Sequence, residues 1–186
     1  MVPVILGEER PSPRRRPLPL EEPERLALAL ARLSETRERG QMSNFEAIKA
    51  EATRLSPWAH LATVGEDGEP DVAPVHPAWE GDELWIMVDS TSIKVRNIAV
   101  QPKVAMHWQV TEAGDGVEIW GTATLHEDLE TKRRLWTGIF DYDLSLFSPG
   151  GPDGSPTTAF VHVLPERAVA LRFYGINGTT RWRRHD

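Results

Sequence analysis

The sequence predicts a mainly β protein with inserted helices, folded as an antiparallel barrel. Three observations carry that expectation. Seven short segments rich in Val, Thr and aromatic residues follow one another from Trp58 onward: WAHLATV, PDVAPVHPAW, ELWIMVD, KVAMHWQV, VEIWGTATLH, TAFVHVL and AVALRFY. The first two are joined by GEDG (65–68) and the second and third by EGD (80–82), both suited to tight antiparallel hairpins. Only two helices interrupt the series, at about 92–100 and 128–142, which disfavours a doubly wound parallel sheet.

In chain order, residues 1–41 differ from everything after them. Pro11, Pro13, Pro17 and Pro19 surround Arg14, Arg15 and Arg16, a combination that favours an extended and poorly packed arm. A docking helix follows: Pro23 suits a first helical position, Leu26, Leu30 and Leu33 share one face, and Gly40 ends it. The compact domain is expected over residues 42–186. Ser43 and Glu46 stand in capping-box spacing, Phe45, Ile48, Ala52 and Leu55 make an amphipathic stripe, and Pro57 stops that helix.

Composition excludes several function classes. The chain has 28 acidic against 21 basic side chains and a formal charge of −7, which argues against broad nucleic-acid or anionic-membrane binding and is compatible with a local basic pocket. With no cysteine, disulfides, thiolate metal sites and cysteine nucleophiles are ruled out. His60, His107, His126, His162 and His185 show no paired metal spacing, so no metal is expected. The start MVPVILGEER is the reverse of a secretory signal and no apolar run approaches bilayer length, so the expected setting is the cytoplasm and the expected partner a small molecule.

The segment from Asp82 to Val110 is the most informative. The apolar run Leu84 to Val88 supplies a strand, and Asp89, Ser90, Thr91 and Ser92 are all residues that cap helices. Lys94 and Arg96 follow at once, where cations oppose the helix macrodipole. Two readings stand at this point: a capped surface helix with solvated charges, or an amino terminus that holds an anion such as phosphate. Arg96 lies two places beyond Lys94 on a different helical face, so Lys94 carries the anion reading.

Three segments together, LATVGEDGEPDVAPVHPAW, LWIMVDSTSIKVRNIAVQPKVAMHW and VEIWGTATL, resemble the pyridoxamine 5'-phosphate oxidase-like family of flavin-binding split β-barrels. The resemblance covers about residues 43–172 and is most specific from Ser92 to Val104, with its hydroxyl, lysine two places later, Asn97, Ile98 and Pro102. It implies a homodimer with FMN in a groove between two barrels, or, in an actinobacterial branch, the deazaflavin coenzyme F-420. By the same resemblance, Ser92 and Lys94 hold the cofactor phosphate with Thr91 beside them. Met87, Val88 and Asp89 line the ring and ribityl chain, and Val72, Ala73, Pro74 and Val75 run along the flavin ring. The true oxidases carry an arginine and a lysine where this chain has Asp71 and His76, and an arginine where it has Ile93. The likeness is therefore to the stress-protein-like and deazaflavin-dependent branches, and the ending GTTRWRRHD resembles sequences of the second.

Four further residues are candidates for substrate or cofactor contact. His76 is either a flavin-side contact or a hydrogen-bonded rim histidine. Trp120, beside Gly121, either stacks on a ligand or marks a core bulge. Arg181 and Trp182, with Arg183 and Arg184, either reach an anionic cofactor tail or belong to a frayed basic terminus. The loop 145–156 is a candidate lid. The expected function is a flavin-dependent oxidoreductase that passes hydride or electrons to a small organic substrate. Alternatives are an F-420-dependent reductase and a non-catalytic flavin-binding or redox-sensing protein on the same barrel.

Overall fold

The computed structural model describes residues 44–184, so the arm, its docking helix, the boundary near residue 41, Ser43 and His185 lie outside the described residues. Eight strands form one antiparallel sheet: β1 (Ala59–Val64), β2 (Pro70–Val75), β3 (Ala78–Glu80), β4 (Glu83–Asp89), β5 (Lys103–Trp108), β6 (Gly116–His126), β7 (Thr158–Leu171) and β8 (Thr179–Arg183). Their order is β2-β1-β5-β6-β7-β4-β3, with β8 paired to β7. Four helices accompany them: α1 (44–55), α2 (Ile93–Val100), α3 (Leu129–Trp136) and α4 (Gly151–Gly154).

The connection between β2 and β3 forces the sheet to curl. These strands lie at opposite ends of the seven-strand path, yet only His76 and Pro77 separate them in sequence. Laid flat, six inter-strand gaps span about 29 Å. Three Cα steps reach at most about 11 Å. The two ends therefore meet, but no ladder joins β2 to β3 among the described residues. The barrel is split: closed by the chain and open in its hydrogen bonds. Prolines help to keep it so, because Pro70, Pro74 and Pro77 have no N–H to offer across the gap.

Alternation along the strands fills the interior. Leu61, Ile86, Met106, Val117, Ile119, Val161 and Val163 point inward and are fully buried, each worth roughly 1.5–3 kcal/mol on burial. Helix α1 presents the expected stripe, with Phe45, Ile48 and Ala52 buried and Leu55 packed against the same core. A second cluster of Trp85, Leu135, Leu144 and Phe160 lies under α3 and the segment after it. Asp128 caps α3 by accepting from the Thr131 amide at 2.8 Å. This helix is shorter than the expected 128–142, ending at the Thr137-Gly138 turn.

Two strand segments expected separately, TAFVHVL and AVALRFY, are one continuous strand, β7. Its centre is a bulge: Trp120 pairs with Arg167 and Gly121 with Pro165, leaving Glu166 as the extra residue. Beyond the bulge the other edge of β7 changes partner, from β4 to β8. The Arg-rich ending is thus paired as an edge strand rather than frayed. The bulge also accounts for Gly121, where a Cβ would lie 2.4 Å from the Leu164 carbonyl oxygen. Among the described residues no helix is long and apolar enough to cross a membrane.

Gly121→Ala is expected to lower the unfolding free energy by about 1–3 kcal/mol through this overpacking. Chemical denaturation measures it, and a loss below about 0.5 kcal/mol, the range of an innocuous surface change, would contradict the β6–β7 register.

Candidate functional site

The turn that leads from β4 into α2 is built around Asp89. Its Oδ1 accepts from the Thr91 hydroxyl at 2.6 Å and the Thr91 amide at 2.7 Å. These bonds hold the Asp89 carboxyl below its ordinary range, the hydroxyl contributing most. The Ser90 amide donates to the Thr157 carbonyl at 2.8 Å, fastening the turn to the strand that follows. On the far side of α2, the buried Asn97 amide donates to the Thr63 hydroxyl at 3.0 Å, while Val95 and Ile98 enter the core.

The amino terminus of α2 is left incomplete. Ser92 is the N-cap residue but makes no side-chain capping bond, and its Oγ is buried without a partner among the described residues. No acidic residue stands in the first turn. Lys94 has no ion pair among the described residues, whereas Arg96 donates to the Thr91 carbonyl at 3.3 Å. An unpartnered hydroxyl and an unpaired ammonium at a helix start are the groups that an anion would satisfy. This is the fit expected for a phosphate.

Beside this turn lies a cleft of about 320 Å³. One wall is the end of β2 and the split, Pro74, Val75 and His76, with Trp58 next to them. The second is the end of β4, Met87 to Asp89, with Lys94. Tyr142, Phe147, Ser148, Thr157 and Thr158 form the third. The buried Ser148 and Thr158 hydroxyls are hydrogen-bonded to each other. Burial, with the charge of Asp141 added, pushes the Tyr142 phenol up to about 12, so it stays a protonated donor at neutral pH. The His76 ring is stacked on Tyr142 at 4.3 Å and tilted against Trp58 at 4.7 Å. Its Nε2 lies 2.9 Å from Asp141 Oδ1.

The cleft brings together Pro74, Val75, His76, Met87, Val88, Asp89 and Lys94 of the expected residues. Thr91 and Ser92 are not in its lining; Thr91 serves the Asp89 turn and Ser92 stands at the head of α2. Val72 is exposed on the outer sheet face, and Ala73 pairs with Leu61. Trp120, Arg181 and Trp182 fall elsewhere, in a groove of about 590 Å³ on β6, β7 and β8 that shares no lining residue with the cleft. There the Arg167 guanidinium sits 4.0 Å from the Trp120 ring centre, and Trp182 stacks on Phe45 at 4.0 Å. Sequence reasoning missed Trp58, Asp141, Tyr142, Thr157 and Thr158. Phe147 and Ser148 belong to the loop read as a lid, and the Gly- and Pro-rich text there was the available signal. Among the described residues no cluster of His, Asp and Glu could hold a metal ion.

The family model described as Pyridoxamine 5'-phosphate oxidase matches residues 45–171. No curated protein matches the sequence. Among solved structures, a protein related to general stress protein 26 from Clostridium acetobutylicum is 19% identical, with a TM-score of 0.60 over 73% of this chain and 91% of that one. A pyridoxamine 5'-phosphate oxidase-related, FMN binding protein from Nostoc punctiforme is 20% identical, with a TM-score of 0.57 over 76% and 88%. A conserved hypothetical protein from Mycobacterium tuberculosis is 24% identical, with a TM-score of 0.54 over 69% and 84%. These likenesses agree with the split barrel, and with the family match spanning more than half of its length, the chain belongs to the pyridoxamine 5'-phosphate oxidase family.

Proposed function

We propose that this protein is a flavin-dependent oxidoreductase that binds FMN in the cleft beside α2 and works as a homodimer. The observation that carries the reading is Lys94, without an ion pair among the described residues, in the wall of a cleft of mixed polar and apolar lining, with the unpartnered Ser92 hydroxyl two residues before it at the head of α2. Lys94 would hold the phosphate. Asp89 and the hydroxyls of Thr157 and Thr158 offer partners for a polyol chain, and Pro74, Val75 and Met87 offer a surface for a ring. A bound flavin supplies the hydride or electron chemistry. The protein's part is to anchor, to orient and to keep one ring face accessible. The FMN binding description of the Nostoc neighbour agrees with this reading.

The outer face of the sheet supports the dimer. One row across the strands reads Val72, Ala62, Ala105, Trp120, Arg167, Arg183, and the next reads Pro74, His60, His107, Glu118, Val169, Arg181. The middle of the first row sets the small Ala62 and Ala105 beside the half-buried Trp120, while Val72 at one end is 61% exposed. At the other end Arg167 and Arg183 stand directly opposite each other, an unfavourable pairing unless something negative approaches. A two-fold axis between β5 and β6 would set β8 of one copy against β2 of the other. The cationic end of each copy would then meet the rim of its partner's cleft.

Visible absorption of the protein purified from its native host, with mass identification of the released chromophore, tests the cofactor. FMN is the expected result; a deazaflavin would move the protein to the F-420-dependent reading, and absence of either after reconstitution would end both. Lys94→Gln is expected to weaken FMN binding about tenfold to a hundredfold, the loss of one hydrogen bond to a charged group. An unchanged fluorescence titration would contradict the anchor. Ala105→Arg, at the centre of this face, is expected to convert a dimer to a monomer in light scattering; a monomeric native protein would contradict the two-fold arrangement.

A further inference from the structure

Behind His76 lies a second compartment that the cofactor reading does not use. This chamber measures about 320 Å³ and is walled by Pro57, Trp79, Trp108 and Ile139, with Thr53 and Ser56 at the end of α1. His76 lines both it and the cleft. Asp141, 2.9 Å from His76 Nε2, faces the chamber, and Tyr142, the next residue, faces the cleft. The link that closes the barrel is therefore also the partition between two cavities.

The two compartments differ in charge. The cleft sets Lys94 against Asp89, whereas among the described residues no lysine or arginine lines the chamber to offset its one carboxylate, Asp141. The nearest ammonium, Lys49, lies 5.5 Å from the Trp79 ring centre but is bonded to Glu46, Asp82 and the Gly81 carbonyl. A carboxylate with no opposing lysine or arginine favours positive charge, and aromatic walls suit a planar ring. An anion here would find the Thr53 and Ser56 hydroxyls and His76 but no lysine or arginine to offset its desolvation beside Asp141.

We propose that the chamber is a binding site for a small planar ring that is cationic, or neutral with a hydrogen-bond donor, and that it excludes anions. Asp141 supplies the charge preference and His76 the contact between this ring and whatever occupies the cleft. The identification of the bound ring as the substrate rests on the reading of the cleft as the flavin site; the chamber's selectivity does not. A phosphorylated substrate is disfavoured by the same electrostatics.

The test is calorimetric titration of the full-length, FMN-loaded protein with three probes on one bicyclic ring: 4-aminoquinoline as the cation, 4-quinolinemethanol as the neutral ring with a donor and quinoline-4-carboxylate as the anion. The cation is expected to bind at least tenfold tighter than the carboxylate. Asp141→Asn, at a side chain 72% exposed, should reduce that preference below threefold with the fold intact. Thr53→Trp, at an exposed helical position, should weaken all three rings and leave FMN binding unchanged. Equal or tighter binding of the carboxylate, a preference that survives Asp141→Asn, or no ring binding at all would overturn the proposal. A protein that fails to bind FMN yet keeps the cation preference would support the chamber and remove the cofactor reading instead.

Discussion

The covalent link His76-Pro77 is the constraint on which the rest depends. It ties together the two ends of a sheet that would otherwise lie several strand widths apart, so curvature is a consequence of connectivity. Because the ends meet without a ladder, their backbone groups and side chains remain available along a gap. The cleft and the chamber both open onto that gap, one on each side of the imidazole.

Electrostatics gives the gap a direction. The chain is acidic overall, yet the head of α2 carries Lys94 without a carboxylate in its first turn. Asp89 is an ionised carboxylate that attracts Lys94 through space, but the two form no ion pair, and Asp89 Oδ1 accepts from Thr91. On the other side Asp141 sits against His76 in a chamber partly walled by Trp79 and Trp108. A ligand that carries phosphate at one end and a redox ring at the other matches the first environment. The second suits a ring without negative charge.

Much of this was legible in the sequence, and the reason differs by element. Alternation and hairpin turns revealed β1, β4, β5 and β6, because half-buried strands impose a period of two. PDVAPVHPAW reads as one strand, but the structure has β2 and β3 at opposite ends of the sheet, parted at His76-Pro77. The turn before α2 was legible because capping residues followed by cations are a local pattern. Strand β7 was misread as two because Pro165 interrupts the text, whereas a bulge lets the strand pass through it. Asp141, Tyr142 and Thr158 were not legible as site residues. They reach the cleft only after α3 and its loop fold back over the second hydrophobic cluster, a long-range event that no local period encodes. Trp120, Arg181 and Trp182 share a groove apart from His76 that the local text of either segment did not reveal.

A crystal structure of the protein grown with FMN would show which groups hold the phosphate. The isoalloxazine is expected against Val75 and Met87, with a phosphate oxygen about 2.7–2.9 Å from Lys94 Nζ. A phosphate held instead by Arg167, Arg181 or Arg183 of the same chain, with Lys94 in solvent, would contradict that expectation.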